Sequence, residues 1–74
     1  MKPALSLSQV GMLRALDSMS GDRTLMGLAR YAGTTPAGAA RSLRSLENRS
    51  LARETAYKTF SITGEGRRAL EAHT

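Results

Sequence analysis

Apolar residues return every three or four positions from Val10 to Leu46, and every second position in a short stretch after that. Val10, Leu13, Leu16 and Met19, with Met12 as a flanker, fall on one stripe of a helix over residues 8–19, for which Ser8 is the expected N-cap. Ser18-Met19-Ser20-Gly21-Asp22 is a run of turn formers whose side chains compete for backbone hydrogen bonds, so the first helix should stop there. Thr24 is placed to cap a second helix over 24–33, where Leu25, Leu28, Ala29 and Ala32 share a face and Gly33 supplies a left-handed terminal residue. Thr34-Thr35-Pro36 is the clearest punctuation, a capping hydroxyl followed by a residue whose φ is already set for the first helical turn. A third helix over 35–49 follows, with Ala39, Leu43 and Leu46 inward and Ala37, Gly38, Ala40, Arg41, Arg44, Ser45 and Asn48 outward.

After Asn48-Arg49-Ser50 the period falls to two, with Phe60 and Ile62 alternating against Thr59, Ser61 and Thr63. The pattern predicts a hairpin over 51–63, its strands Leu51–Thr55 and Thr59–Thr63 joined by Ala56-Tyr57-Lys58. Thr63 then caps a last helix over 64–73, with Ala69 and Leu70 inward, and residues 1–7, which contain Pro3, form a lead-in. The fold class expected is mainly α with a small β-hairpin. Residues 1–74 read as a single winged helix-turn-helix domain, with a three-helix core, a two-stranded wing and a short C-terminal helix.

Composition narrows the chemistry. The chain has 74 residues, no Cys and one histidine, His73, beside the C-terminus, so neither a disulfide framework nor a metal site is expected. Glu47, Glu54, Glu65 and Glu71 are scattered, and no histidine stands among them to complete an acid and base pair. A catalytic role and a cofactor are therefore not expected. No segment has the roughly 18 consecutive apolar residues that span a bilayer, and Lys2-Pro3 precedes leucines broken by serines, unlike a secretory leader. No membrane partner and a cytoplasmic setting are the corresponding expectations.

Charge points to a partner. The 11 Lys and Arg outnumber the 6 Asp and Glu, and the excess is uneven. Residues 30–58 hold Arg30, Arg41, Arg44, Arg49, Arg53 and Lys58 against Glu47 and Glu54, a net +4 of the total +5. Neutralising phosphates releases the counterions condensed on a duplex, so a cationic face is what binding to double-stranded DNA needs. A solvated basic surface is the competing reading.

Several stretches resemble the multiple-antibiotic-resistance (MarR-type) transcription regulators. Leu7-Ser8-Gln9-Val10 and Leu13-Arg14-Ala15-Leu16 are similar to the helix before their DNA-binding motif. Leu28-Ala29, Gly33, Leu43 and Leu46-Glu47-Asn48-Arg49-Ser50-Leu51 resemble the motif and its exit, and Phe60-Ser61-Ile62-Thr63-Gly64-Glu65-Gly66-Arg67 resembles the last wing strand and the helix after it. The likeness spans about residues 7–72. It implies that Thr35, Pro36, Ala37, Gly38, Ala40 and Arg41 face DNA from the recognition helix. Two departures stand out. The wing tip is only Ala56-Tyr57-Lys58, so Lys58 or Arg53 takes the place of the family's wing-tip arginine, and the chain lacks the long terminal helices through which that family dimerises.

Each candidate has an ordinary reading beside the functional one. Arg41 and Arg44, the long donors on the outward side of the third helix, either contact DNA or are solvated. Thr34 and Thr35 either bond phosphate or only cap. Gly38 costs about 1 kcal/mol relative to Ala inside a helix, which marks either a close approach or a tolerated weak residue. Tyr57 either stacks on the nucleic acid or covers the hairpin's apolar face, and Tyr31 reads as a partly buried core or dimer-contact ring. Met12, Met19 and Met26 read as core fillers. Arg67 and Arg68 are unfavourably placed for the last helix's dipole and read as a solvated face. A homodimer is expected, because two half-sites raise affinity and specificity, with Leu5, Leu7 or the last helix as contacts. An acidic protein bound by the same basic face is the alternative partner.

Overall fold

Ser6 and Gln9 open the first helix by closing a reciprocal pair of hydrogen bonds. The Gln9 N–H donates to the Ser6 hydroxyl at 3.1 Å and the Ser6 N–H donates to the Gln9 side-chain oxygen at 2.9 Å, a capping box that satisfies two donors the helix itself leaves unpaired. The computed structural model describes residues 5–18 and 23–73, and α1 runs over Leu7–Ser18. The cap is thus Ser6 and not the expected Ser8, because the glutamine three residues on fixes it there. Leu7, assigned to the lead-in, is the first helical residue. Met19 and the rest of the expected turn over 19–22 lie outside the described residues.

Val10, Met12, Leu13, Ala15 and Leu16 of α1 are all buried. This apolar band is wider than one stripe because α2, α3, α4 and the hairpin pack around α1, and Met12, expected as a flanker, is only 1% exposed.

The second helix, α2, covers Leu25–Ala32, and its N-cap Thr24 accepts from the Gly27 N–H at 3.2 Å. Gly33 ends it at φ 71°, with the Thr34 N–H donating to the Ala29 carbonyl at 2.9 Å. Three residues later α3 begins, covering Pro36–Asn48, with Thr35 as N-cap and Pro36 in its first turn. This helix, short turn and helix is the helix-turn-helix. Ala39, Leu43 and Leu46 bury the inner face of α3.

The exit from α3 is a Schellman motif that periodicity does not reveal. Ser50 takes φ 61°, its N–H donates to the Glu47 carbonyl at 3.0 Å, and the Leu51 N–H donates to the Leu46 carbonyl at 2.9 Å. Leu51, expected to open a strand, is instead the buried residue that closes this motif.

Strand β1 covers Ala52–Ala56 and pairs antiparallel with β2, Thr59–Ile62. Ala52 stands opposite Ile62, Arg53 opposite Ser61 and Glu54 opposite Phe60; a bulge between Glu54 and Ala56 brings Ala56 opposite Thr59. The connecting turn is therefore two residues, Tyr57-Lys58, rather than three. Lys58 takes φ 54°, and its N–H donates to the Glu54 carboxylate at 2.7 Å. A further pairing joins this hairpin to the segment before α2. Thr24 bridges Thr59, the Phe60 N–H donates to the Arg23 carbonyl at 3.0 Å, and the Leu25 N–H donates to the Lys58 carbonyl at 2.9 Å.

Helix α4 covers Gly64–His73, and Leu70 anchors it in the core. The Thr63 hydroxyl accepts from the Gly66 N–H at 2.9 Å and donates to the Ser50 carbonyl at 2.7 Å, coupling the start of α4 to the exit of α3. Arg67 Nε lies 3.3 Å from Asp17 Oδ1, so Arg67, read as a solvated cation, ties α4 to α1. Among the described residues the molecule has four helices and a two-stranded antiparallel hairpin in winged helix-turn-helix order, and no helix long and apolar enough to cross a membrane.

Candidate nucleic-acid interface

Thr35 sets the orientation of the candidate surface, because its hydroxyl accepts from the Gly38 N–H at 3.0 Å and holds the first turn of α3 open to solvent. Pro36 has no N–H and Gly38's is taken by the cap, which leaves the Ala37 N–H as the first-turn donor facing outward. The side chains of Thr34, Thr35, Pro36 and Ala37 are exposed around it.

Gly38 is half-buried, and a Cβ there would lie 2.7 Å from the Thr34 hydroxyl oxygen and 3.2 Å from that of Thr35. The close approach that its glycine suggested is therefore made by the chain's own two threonines. Ala40, Arg41 and Arg44 are exposed. Arg41 and Arg44 lie one turn apart on the face opposite Ala39, Leu43 and Leu46, and among the described residues neither meets a carboxylate. Ser45, expected on this face, is half-buried on its flank and accepts from Gln9 Nε2 at 2.7 Å.

The hairpin carries a second group of candidates. Arg53 is exposed and shares its sheet face with Ser61, the face turned away from buried Phe60. Tyr57 is 85% exposed, so it does not cover the hairpin's apolar side; Lys58 Nζ lies 5.3 Å from its ring centroid, within range of a cation–π contact. The eleven candidates thus form two groups: Thr34 to Arg44 on the turn before α3 and along α3, and Arg53, Tyr57 and Lys58 on the hairpin.

Other expected contacts move. Tyr31 is 55% exposed and Met26 is exposed, so neither fills the core. Leu5 packs against the molecule's own core, whereas Leu7 is 89% exposed. Leu7 also lines a small cleft of about 110 Å³ between α1, the end of α2 and α3, together with Gly11, Met12, Ala32, Thr34 and Ser42. Gln9 and Arg49, neither of them among the candidate contacts, meet beside α3, with Arg49 Nη1 donating to Gln9 Oε1 at 3.2 Å. The one signal was the Ser6-x-x-Gln9 spacing.

No family model matches the chain, and no curated protein matches it.

Proposed function

We propose that this chain is a double-stranded DNA-binding transcriptional regulator, a small repressor of the MarR type, that lays α3 in the major groove with the hairpin on the flanking backbone. One observation carries the reading: Arg41 and Arg44 stand exposed, with no carboxylate beside them among the described residues, on the outer face of a helix whose opposite face is in the core. A helix fits the major groove, and a guanidinium can give two parallel hydrogen bonds to guanine, contributing about 1–3 kcal/mol of base discrimination. The rest of that face is short. Ala37, Gly38 and Ala40 have no polar side-chain atoms, so DNA shape and phosphate contacts from Thr34, Thr35, Arg53, Tyr57 and Lys58 carry much of the recognition. A homodimer supplies the second half-site.

Fluorescence anisotropy with a labelled random-sequence duplex at about 50 mM salt tests this. Binding that weakens in Arg41→Ala, Arg44→Ala and Lys58→Ala, with folding intact, is the expected result; unchanged affinity in Arg41→Ala and Lys58→Ala removes this face from the reading. A second reading, a protein-interaction module using the same basic face, is favoured by the exposure of Tyr57 beside Lys58, since aromatic side chains are enriched where proteins meet. An acidic protein that binds the chain while random duplex does not would select it.

A further inference from the structure

Arg41 and Arg44 are presented by a helix whose apolar stripe turns them outward but leaves their exact azimuth to directional contacts. The buried stripe of α3, Ala39, Leu43 and Leu46, sets which face turns inward, but an individual aliphatic contact has no angular preference. A hydrogen bond does. Among the described residues, Ser45 is the only side chain of α3 that hydrogen-bonds another element, and its partner is Gln9 of α1. One turn further along the same flank, Arg49 at the α3 C-cap donates to the same glutamine.

The Gln9 amide has its orientation dictated by these neighbours. The Ser6 N–H and the Arg49 guanidinium can only donate, so the atom facing both is the oxygen, and the nitrogen is left to face Ser45. A single side chain thereby joins the N-cap of α1 to two successive turns of α3. Ser45 follows Arg41 by four residues and lies on the adjacent turn of the same row. A bond at Ser45 therefore fixes the azimuth at which Arg41 leaves the helix. Among the described residues nothing comparable holds the other flank, where Ala40 and Glu47 are exposed.

We propose that Gln9 is a positioning residue for α3, holding its roll so that Arg41 and Arg44 face a duplex together. The inference rests on the DNA-binding reading for its consequence but not for its geometry. Gln9 touches no nucleic acid itself. It acts through Ser45 and Arg49.

The decisive comparison is between Gln9→Met, which keeps the length and removes all three bonds, and Gln9→Glu. The latter keeps an acceptor for Ser6 and Arg49, and the Ser45 hydroxyl can rotate to donate to it. Residual dipolar couplings of backbone amides report the orientation of α3 relative to α1, and anisotropy on random duplex reports binding. Gln9→Met should leave α3 couplings that no longer fit the parent orientation and bind DNA about tenfold more weakly, a loss of about 1.4 kcal/mol. Gln9→Glu should retain both. Should Gln9→Met fail to fold, Ser45→Ala removes the central bond alone and is expected to shift the couplings in the same sense. Parent couplings in Gln9→Met, or in Ser45→Ala where that variant substitutes for it, overturn the proposal, as does a Gln9→Glu protein as impaired as Gln9→Met. If the parent protein binds no duplex, the DNA reading fails while the couplings still decide the role of Gln9.

Discussion

Gly66 occupies a tightly constrained position. A Cβ there would collide with the Leu51 carbonyl oxygen and lie 2.9 Å from Ile62 Cγ1. The obstacle is backbone, which yields only if the whole start of α4 moves. Gly66→Ala should therefore cost about 2–4 kcal/mol despite the better helix propensity of alanine, seen as a lower urea midpoint at unchanged slope. Gly38 differs, because the nearest atom above it is the Thr34 hydroxyl, which can rotate away, while the Thr35 hydroxyl at 3.2 Å is held by the cap. Thr34 and Thr35 can be separated in the same way. The Thr35 hydroxyl caps α3, so Thr35→Ala should cost about 1 kcal/mol and any loss of DNA binding is mixed with loss of helix. The exposed Thr34 hydroxyl bonds nothing among the described residues. Thr34→Ala should leave the unfolding midpoint where it is and weaken duplex binding only if that hydroxyl meets phosphate, which anisotropy reads directly.

Each of the four helices begins with a side-chain cap, and the end of α3 carries avoidable strain. Ser50 sits in the left-handed region at φ 61° as the penultimate residue of the Schellman motif. Glycine has no Cβ penalty there, so Ser50→Gly should stabilise the protein by about 0.5 kcal/mol after its greater unfolded-chain entropy is offset. Thermal unfolding checks this, and a fall in stability would mean that the Ser50 side chain has a compensating role. The hairpin is short, and three features hold its shape: the bulge before Ala56, the Glu54 carboxylate on the Lys58 N–H, and the bridge from Thr24 to Thr59. The last of these makes α2 and the hairpin move together. Cations on the hairpin are thereby referenced to the helix-turn-helix rather than swinging on a free loop.

For the molecule as a whole, the net charge of +5 predicts the form of DNA binding more firmly than its strength. The logarithm of affinity should fall linearly with the logarithm of salt concentration, and removing one phosphate contact should reduce the slope by about 1. Arg53→Ala and Lys58→Ala, on the hairpin, should change that slope and weaken all duplexes alike. Arg41→Ala and Arg44→Ala should also relax preference among sequences in a selection from random DNA, because a guanidinium in the groove reads base edges. The ion pair of Arg67 with Asp17 is exposed, at 60% and 40% for the two side chains. Asp17→Asn should consequently cost no more than about 1 kcal/mol and leave binding unaltered.

The helices, their caps at Thr24, Thr35 and Thr63, the left-handed Gly33 and the inner stripe of α3 were all legible along the chain, because each depends on residues within one or two turns of one another. Patterning likewise revealed the hairpin and the concentration of charge between Arg30 and Lys58. Contacts between residues distant in sequence were not legible. Neither the pairing of Thr24 with Thr59, the collision that requires glycine at 66, the exposure of Tyr57 and Tyr31, nor the grip of Gln9 on Ser45 and Arg49 has a period or a motif. These follow from how the elements pack, and packing depends on shape across the interior rather than on neighbours along the backbone. Ser6 stands between the two cases. Its spacing to Gln9 was visible, but that the same glutamine also reaches α3 could emerge only once α1 and α3 lay side by side.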